Sequence, residues 1–291
     1  YVQLGNETWA FRAKMLEIHG ERMAQFYADC VAAYEEAIHA VAPGVRIITD
    51  YDDAIAPLIA SRLGKKLDSF CGHYYTPWMI QRVLKDGEEV PIGSLTAEEI
   101  WYAWVSTPKI DSAGHSVVES RVLTSAPALG YPVAATEWNW NGGWPHGVEK
   151  VALNSSFAKG VGSAGFLHAF MRKGSVIRIA TQSMLVGTGW GIAAIKVDRT
   201  GTRPPVMSPS GMVTALYSNH VGDRLLAMEE TGMPSYRQPF EMGGIKASPR
   251  VALIDAVATT DTRTVYWHAI NRSFDRPLDV HIDVREFGCL S

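Results

Sequence analysis

The 291 residues carry 27 basic against 30 acidic side chains, a formal net charge of −3, and 47% of them are hydrophobic. That balance fits a globular protein with a sizeable core and leaves no basic footprint for nucleic acid and no sign of a bulk anionic partner. No apolar run is long enough to span a membrane, and Cys30, Cys71 and Cys289 form neither a disulfide framework nor a metal-ligand spacing.

The chain opens on a short apolar strand, YVQL, that runs directly into Gly5-Asn6-Glu7. From Leu16 to Val41 apolar residues recur at helical spacing (Met23, Phe26, Tyr27, Cys30, Val31, Tyr34, Ile38), and Pro43-Gly44 stops the helix. VRIITD (45–50) is a short apolar run ending in Asp50 and reads as a buried strand. A brief helix over 54–63 leads to a third strand, LDSFCGHYY (67–75). After a loop rich in glycine and charge come two helical pieces, LTAEEIWYAWV (95–105) and SVVESRVLTSAPALG (116–130). YPVAATEWNW (131–140) supplies a fourth strand carrying Thr136-Glu137, a helix covers about 148–171, and SVIRIATQS (175–183) is a fifth strand.

Strand and helix alternate, and the strands are continuous apolar runs, the pattern of a parallel sheet covered by helices. Polar residues gather just after each strand: Asn6-Glu7, Asp50, His73 to Tyr75, Glu137 and Gln182. A (β/α) barrel and an open doubly wound sheet both place their ligands at that end. From about Gly222 the texture changes to partly alternating segments broken by turn signals, YRQPFEM, RVALIDAVATT, TRTVYWHAINRS and RPLDVHIDVREFG. The expected division is an α/β region over 1–222 and an all-β module over 223–291.

Glu7 and Glu137 are the pair to weigh for chemistry. Each follows a strand and is flanked by apolar sequence, and in a parallel barrel all strand ends converge on one mouth. Two such carboxylates suit glycoside hydrolysis, one giving a proton to the leaving oxygen while the other attacks the anomeric carbon. The plainer alternative is that either glutamate caps a helix or forms a surface ion pair.

LGNE (4–7) and TEWNW (136–140) resemble the acid/base and nucleophile motifs of clan A glycoside hydrolases. The finer pattern is similar to the α-L-arabinofuranosidases of family 51. His73-Tyr74-Tyr75 matches that family's His-x-Tyr step, and IATQS puts Gln182 where the family has Ala-Gln. TALYSNHVGDRLL and HAINRSFDRPLDVHIDVREFG resemble the helix leading out of the family's barrel and its C-terminal β-sandwich. The resemblance implies Glu7 as general acid/base and Glu137 as nucleophile. It further implies Asn6 on the sugar 2-hydroxyl, Tyr75 orienting the nucleophile, His73 supporting both carboxylates and Gln182 on the furanose hydroxyls. Trp138 and Trp140 are expected to bind substrate, one of Trp138, Trp140 and Trp144 forming an aromatic wall.

The sequence also departs from the family. Thr136 stands where an Asp is usual, and SMLVGTGWG after Gln182 lacks the Asn that commonly follows, Trp190 being expected to replace some of that surface. The likeness begins at the fourth barrel strand and stops inside the sandwich. The expected fold is therefore an incomplete (β/α)8 TIM-type barrel of about five βα units followed by a sandwich-like domain, its open edges covered by homo-oligomerisation. The implied partner is an arabinose-containing oligo- or polysaccharide, with no metal or organic cofactor. Another clan A activity (β-xylosidase, endo-glucanase or xylanase) and an inactive carbohydrate-binding or assembly fragment are the alternatives. Nothing in the sequence decides between a cytoplasmic and a secreted protein.

Overall fold

The computed structural model describes residues 1–50, 55–77, 79–106, 130–140, 157–188 and 192–284. The first strands in chain order are β1 (Val2–Leu4), β2 (Ile47–Thr49), β3 (Ser69–Tyr75), β4 (Val83–Lys85), β5 (Glu88–Val90), β6 (Val133–Asn139) and β7 (Ile177–Gln182). Five of them form one parallel sheet in the order β1-β2-β3-β6-β7, with β1 and β7 at its edges.

Helices connect these strands: α1 (Arg12–His19), α2 (Met23–Val41), α3 (Ala56–Leu63), α4 (Ala97–Val105), α5 (Phe157–Arg172) and, beyond the sheet, α6 (Pro209–Asn219). The single helix expected over 16–41 is thus two helices. A 3-10 turn, Gly20–Arg22, separates them where Gly20 caps the C-terminus of α1. The start of α4 is fixed by a capping box in which Thr96 and Glu99 each satisfy the other's backbone N–H. The helical piece expected over 116–130 and the first part of the one expected from 148 lie outside the described residues.

Period-two alternation assigns the two faces of the sheet. Phe70 packs with Tyr27, Val31, Ile59 and Leu67 beneath α2 and α3. Tyr74, Val133, Ala135, Trp138 and Trp140 pack with Trp104 of α4 and with Phe166 and Phe170 of α5. Trp140 lies so close to α5 that a Cβ on Gly162 would fall 1.9 Å from its Cδ1, so only glycine fits there. On the opposite face Ile48, Cys71 and Ala134 form a small apolar floor.

One irregularity matters for the site. Gly72 pairs with Ala135 but His73 pairs with Glu137, so Thr136 is an extra residue in β6. Such a bulge reverses the alternation beyond it. Val133 and Ala135 face the helices before the bulge, and Trp138 and Trp140 face them after it. Glu137 is thereby turned to the side of Cys71 and His73.

The later strands are β8 (Val186–Gly187), β9 (Ile195–Lys196), β10 (Val206–Met207), β11 (Arg224–Leu225), β12 (Ser235–Gln238), β13 (Phe240–Glu241), β14 (Ser248–Ala252), β15 (Ile254–Thr260) and β16 (Val265–Asn271). They form small sheets, β10-β9-β8, β11-β15-β16 and β12-β14, while β13 pairs with the β4–β5 hairpin. That hairpin falls in the expected loop; Asp86 and Gly87 at φ 54 and 89 make the left-handed two-residue turn that such a connection favours. Residues 276–284 hold no strand, contrary to the alternation of RPLDVHIDV, and Val280 and Ile282 are exposed. Alternation yields a strand only where a neighbouring strand packs against it.

A buried polar cluster joins α5 to β15 and β16. His168 Nδ1 lies 3.3 Å from Asp255 Oδ1, and its Nε2 lies 2.6 Å from the Tyr217 hydroxyl. Tyr217 in turn stacks on His268. Burial holds His168 and His268 below the ordinary histidine pKa of 6.5; for His168 the Asp255 carboxylate opposes this without overcoming it. Between the depressed values and 6.5 the unfolded chain binds more protons than the native one, so stability falls as pH is lowered through that range. Thermal melting from pH 8 to 5 is expected to show a decline setting in below about 6.5, and His168→Gln is expected to flatten it. A melting temperature constant over that range contradicts this assignment.

Candidate active site

The site grows from the ends of β1, β3 and β6. Gly5 takes φ 97 at the end of β1, and a Cβ there would lie 2.7 Å from Thr8 Cγ2, so the turn requires glycine. Glu7 follows at φ 50 and ψ 40, left-handed for a residue with a Cβ, an arrangement that costs roughly 1–2 kcal/mol and must be held by its surroundings. A 3-10 turn, Thr8–Phe11, then carries the chain towards α1.

On β3, His73 and Tyr75 share the face of Cys71, away from the helices. The bulge at Thr136 brings Glu137 to meet them. His73 Nδ1 lies 3.0 Å from Glu7 Oε1 and 3.4 Å from Glu137 Oε2. The Tyr75 hydroxyl donates to Glu137 Oε2 at 2.7 Å. One oxygen of each glutamate and one ring nitrogen of His73 all lie within 4.8 Å of one another.

Exposure is graded across the cluster. The His73 side chain is 6% exposed, Glu137 26% and Glu7 45%, so Glu7 is the wetter carboxylate and His73 the buried brace. Burial pushes the Tyr75 hydroxyl well above the ordinary phenol range; a hydrogen bond with Ser183 opposes this, and the Glu137 and Glu7 charges reinforce it. Tyr75 therefore stays protonated and serves Glu137 as a donor. Below the site the Cys71 thiol is pushed up to about 12, chiefly by burial, and so stays an inert neutral group.

Two close carboxylates beside an imidazole can exchange protons with a ligand, attack an electrophilic carbon, or hold a cation. Among the described residues Glu7, His73 and Glu137 are the one group whose donor atoms converge closely enough for a metal ion.

Of the residues singled out from the sequence, Glu7, His73, Tyr75 and Glu137 come together here. Asn6 is exposed on the same turn as Glu7. Gln182 ends the neighbouring strand opposite Trp138, and its amide nitrogen and oxygen are shielded from water with no hydrogen-bond partner among the described residues. Trp138 and Trp140 are corrected: both are 0% exposed and lie in the helix-side core, where they offer no face to a sugar. The bulge at Thr136 is the cause, since it sends Glu137 to the open face and every second residue after it to the other. Trp144 and Trp190 lie outside the described residues. One aromatic was missed: Trp9, 36% exposed, sets its ring edge-on to His73 at 5.0 Å. Its place two residues after Glu7 was the available signal.

No protein-family model and no curated protein matches the sequence. Solved structures do match in architecture. The GH51 arabinofuranosidase from Xanthomonas axonopodis pv. citri aligns with a TM-score of 0.56 at 19% identity, over 93% of this chain and 51% of that one. AbfB, a family 51 α-L-arabinofuranosidase from Bifidobacterium longum, gives 0.54 at 17% identity, over 88% and 50%. The thermostable GH51 α-L-arabinofuranosidase from Thermotoga petrophila RKU-1 gives 0.53 at 16%, over 92% and 51%. The chain spans about half the length of these structures. At such identities the likeness speaks to architecture alone. The parallel sheet, its helices and the C-terminal strands share the architecture of about half of each of these solved structures.

Proposed function

We propose that this chain carries the reaction centre of a retaining glycoside hydrolase that removes α-L-arabinofuranosyl groups from plant polysaccharides or their oligosaccharides. The observation that carries this reading is the approach of Glu7 and Glu137, one carboxylate oxygen of each lying within 4.8 Å of the other. That upper bound accords with the roughly 5–5.5 Å of retaining pairs rather than the about 6.5–9.5 Å that admits a water between inverting ones. In the first step a Glu137 oxygen bonds to the anomeric carbon as the bond to the leaving oxygen breaks, and Glu7 gives that oxygen its proton. In the second, Glu7 takes a proton from water as the water oxygen displaces Glu137 from the sugar. Tyr75 fixes the orientation of Glu137, and His73, touching both carboxylates, holds their spacing. The choice of arabinofuranoside is supported by the ordered motifs LGNE, HYY, TEWNW and ATQ and by the enzymes that share the fold. In this reading residues 1–222 supply the reaction centre and 223–291 a sandwich-like support.

A panel of 4-nitrophenyl glycosides tests the reading. Release from the α-L-arabinofuranoside alone is expected; release only from a xyloside or glucoside overturns the sugar assignment, and release from none overturns the reaction. With other leaving groups on the same sugar, Glu7→Ala is expected to lose about 10²–10⁴-fold in kcat/KM on a phenyl glycoside, which needs its leaving oxygen protonated. It is expected to lose far less on a 2,4-dinitrophenyl glycoside, which does not. Equal losses on both leaving groups would remove Glu7 from the proton-donor role.

A further inference from the structure

Asp50 has no part in the reaction as written, yet it lies against the turn that carries Glu7. It follows β2, is 0% exposed, and its Oδ2 accepts the Thr8 N–H at 2.9 Å. Its own N–H donates to the Tyr27 hydroxyl at 3.0 Å, and that hydroxyl donates to the Leu4 carbonyl at 3.2 Å. The turn that presents Glu7 is thus gripped at both ends, at Leu4 before it and at Thr8 after it, by a strand end and a helix that hold each other. Gly5 rests against the same carboxylate, with an added Cβ falling 3.3 Å from Oδ2. Cys71 is near enough for the Asp50 charge to help burial raise its thiol. Cys71 Sγ is 3.0 Å from the hydroxyl of Thr136, the residue before Glu137. Asp50 thus grips the Glu7 turn, and Cys71 touches the residue at the Glu137 bulge.

We propose that Asp50 is the positioning residue for Glu7, fixing the proton donor through the Thr8 amide; this rests on the reading of Glu7 as acid/base. Two facts support it together. A non-glycine residue in the left-handed region persists only where its surroundings over-determine it. A carboxylate removed from water is unfavourable unless its hydrogen bonds are needed where it sits. The alternative, a carboxylate serving general folding only, predicts no selectivity for proton donation.

The test uses the whole chain with Asp50→Ala and Asp50→Asn, the latter keeping an acceptor oxygen for Thr8. On the glycoside that the wild type cleaves, Asp50→Ala is expected to lower kcat/KM about 10–100-fold for the phenyl leaving group, but under about threefold for 2,4-dinitrophenyl, where proton donation is not needed. Asp50→Asn is expected to stay within about threefold of wild type on both, since its acceptor remains in place. Hydrogen exchange of residues 5–11 is expected to rise in Asp50→Ala and not in Asp50→Asn. Equal loss on both leaving groups, or exchange over 5–11 unchanged by Asp50→Ala, overturns the proposal. If the wild type cleaves nothing, the functional reading falls and the exchange comparison alone decides the clamp. Should the alanine variant not fold, Asp50→Ser takes its place, keeping a polar group in the slot while withdrawing the acceptor from Thr8.

Discussion

Glu137→Ala is expected to lower kcat by about 10⁴-fold or more, the scale seen when a covalent nucleophile is deleted, with the fold intact. The side chain is 26% exposed and held by Tyr75 and His73, and His73 keeps Glu7 as a partner at 3.0 Å when the Glu137 carboxylate goes. The deletion opens a small space facing the anomeric carbon. Azide, a compact anion, can enter it and attack that carbon directly. The carbon–oxygen bond to the leaving group breaks, a carbon–nitrogen bond forms, and the product is a glycosyl azide of inverted configuration. Glu7→Ala should respond to azide differently: the glycosyl ester on Glu137 still forms, azide replaces water in the second step, and the product keeps its configuration. Opposite stereochemistry in the two variants would separate nucleophile from proton donor without reference to any relative. Residual turnover within tenfold of wild type in Glu137→Ala would exclude it as nucleophile. The same stereochemical outcome in both variants would exclude the division of roles.

How far the sequence revealed this site depends on which forces place each residue. The parallel sheet was legible because its strands are continuous apolar runs followed by polar residues, and β3 shows why that suffices. Once LDSFCGHYY is a strand, Phe70 and Tyr74 on one face assign Cys71, His73 and Tyr75 to the other. The same reasoning failed on β6. YPVAATEWNW alternates correctly up to Thr136, but a one-residue bulge is not a property of composition or period; it arises from pairing with β3. Without it Trp138 and Trp140 read as residues of the mouth, and with it they fill the core beside Trp104. The β4–β5 hairpin was missed for a smaller reason, since its Asp86-Gly87 turn signal sits in a charged stretch with only three residues per strand. Contacts between distant segments left no local trace. Asp50 was noticed only as a polar residue ending a strand, and its grip on Thr8, 42 positions away, exists only in the fold.

The largest stability effect is expected at Asp255, another residue without a local signature. It is 8% exposed and pairs at 2.8 Å with Arg272, whose side chain is 4% exposed. Arg172 of α5 reaches its other oxygen, and His168 lies alongside. Burial alone would raise the Asp255 carboxyl, but Arg272, with His168 and Arg172, outweighs it and holds the carboxyl far below the ordinary range. A carboxyl depressed in the folded state contributes stability above its unfolded pKa and loses that contribution only as pH falls towards the folded value. At neutral pH the contribution is therefore fully present. Arg272 is also spent on backbone, donating to the carbonyls of Val105 and Ala252, while Trp101 donates to its own carbonyl. The pair thus fastens β15 and the end of β16 to α4 and α5. Asp255→Ala leaves the Arg272 charge buried without its partner and is expected to cost about 3–5 kcal/mol, against roughly 5–15 kcal/mol for a whole folded domain. For a chain of this size that is a fall in Tm on the order of 10 °C. Asp255→Leu combined with Arg272→Met should recover much of the loss, because a buried ion pair gains little over apolar groups of similar volume, whereas half of one is strongly unfavourable. Thermal melting of the two single variants and the double variant measures that coupling. A double variant no more stable than either single one would mean that the backbone contacts of Arg272, not its charge pair, hold the two parts together.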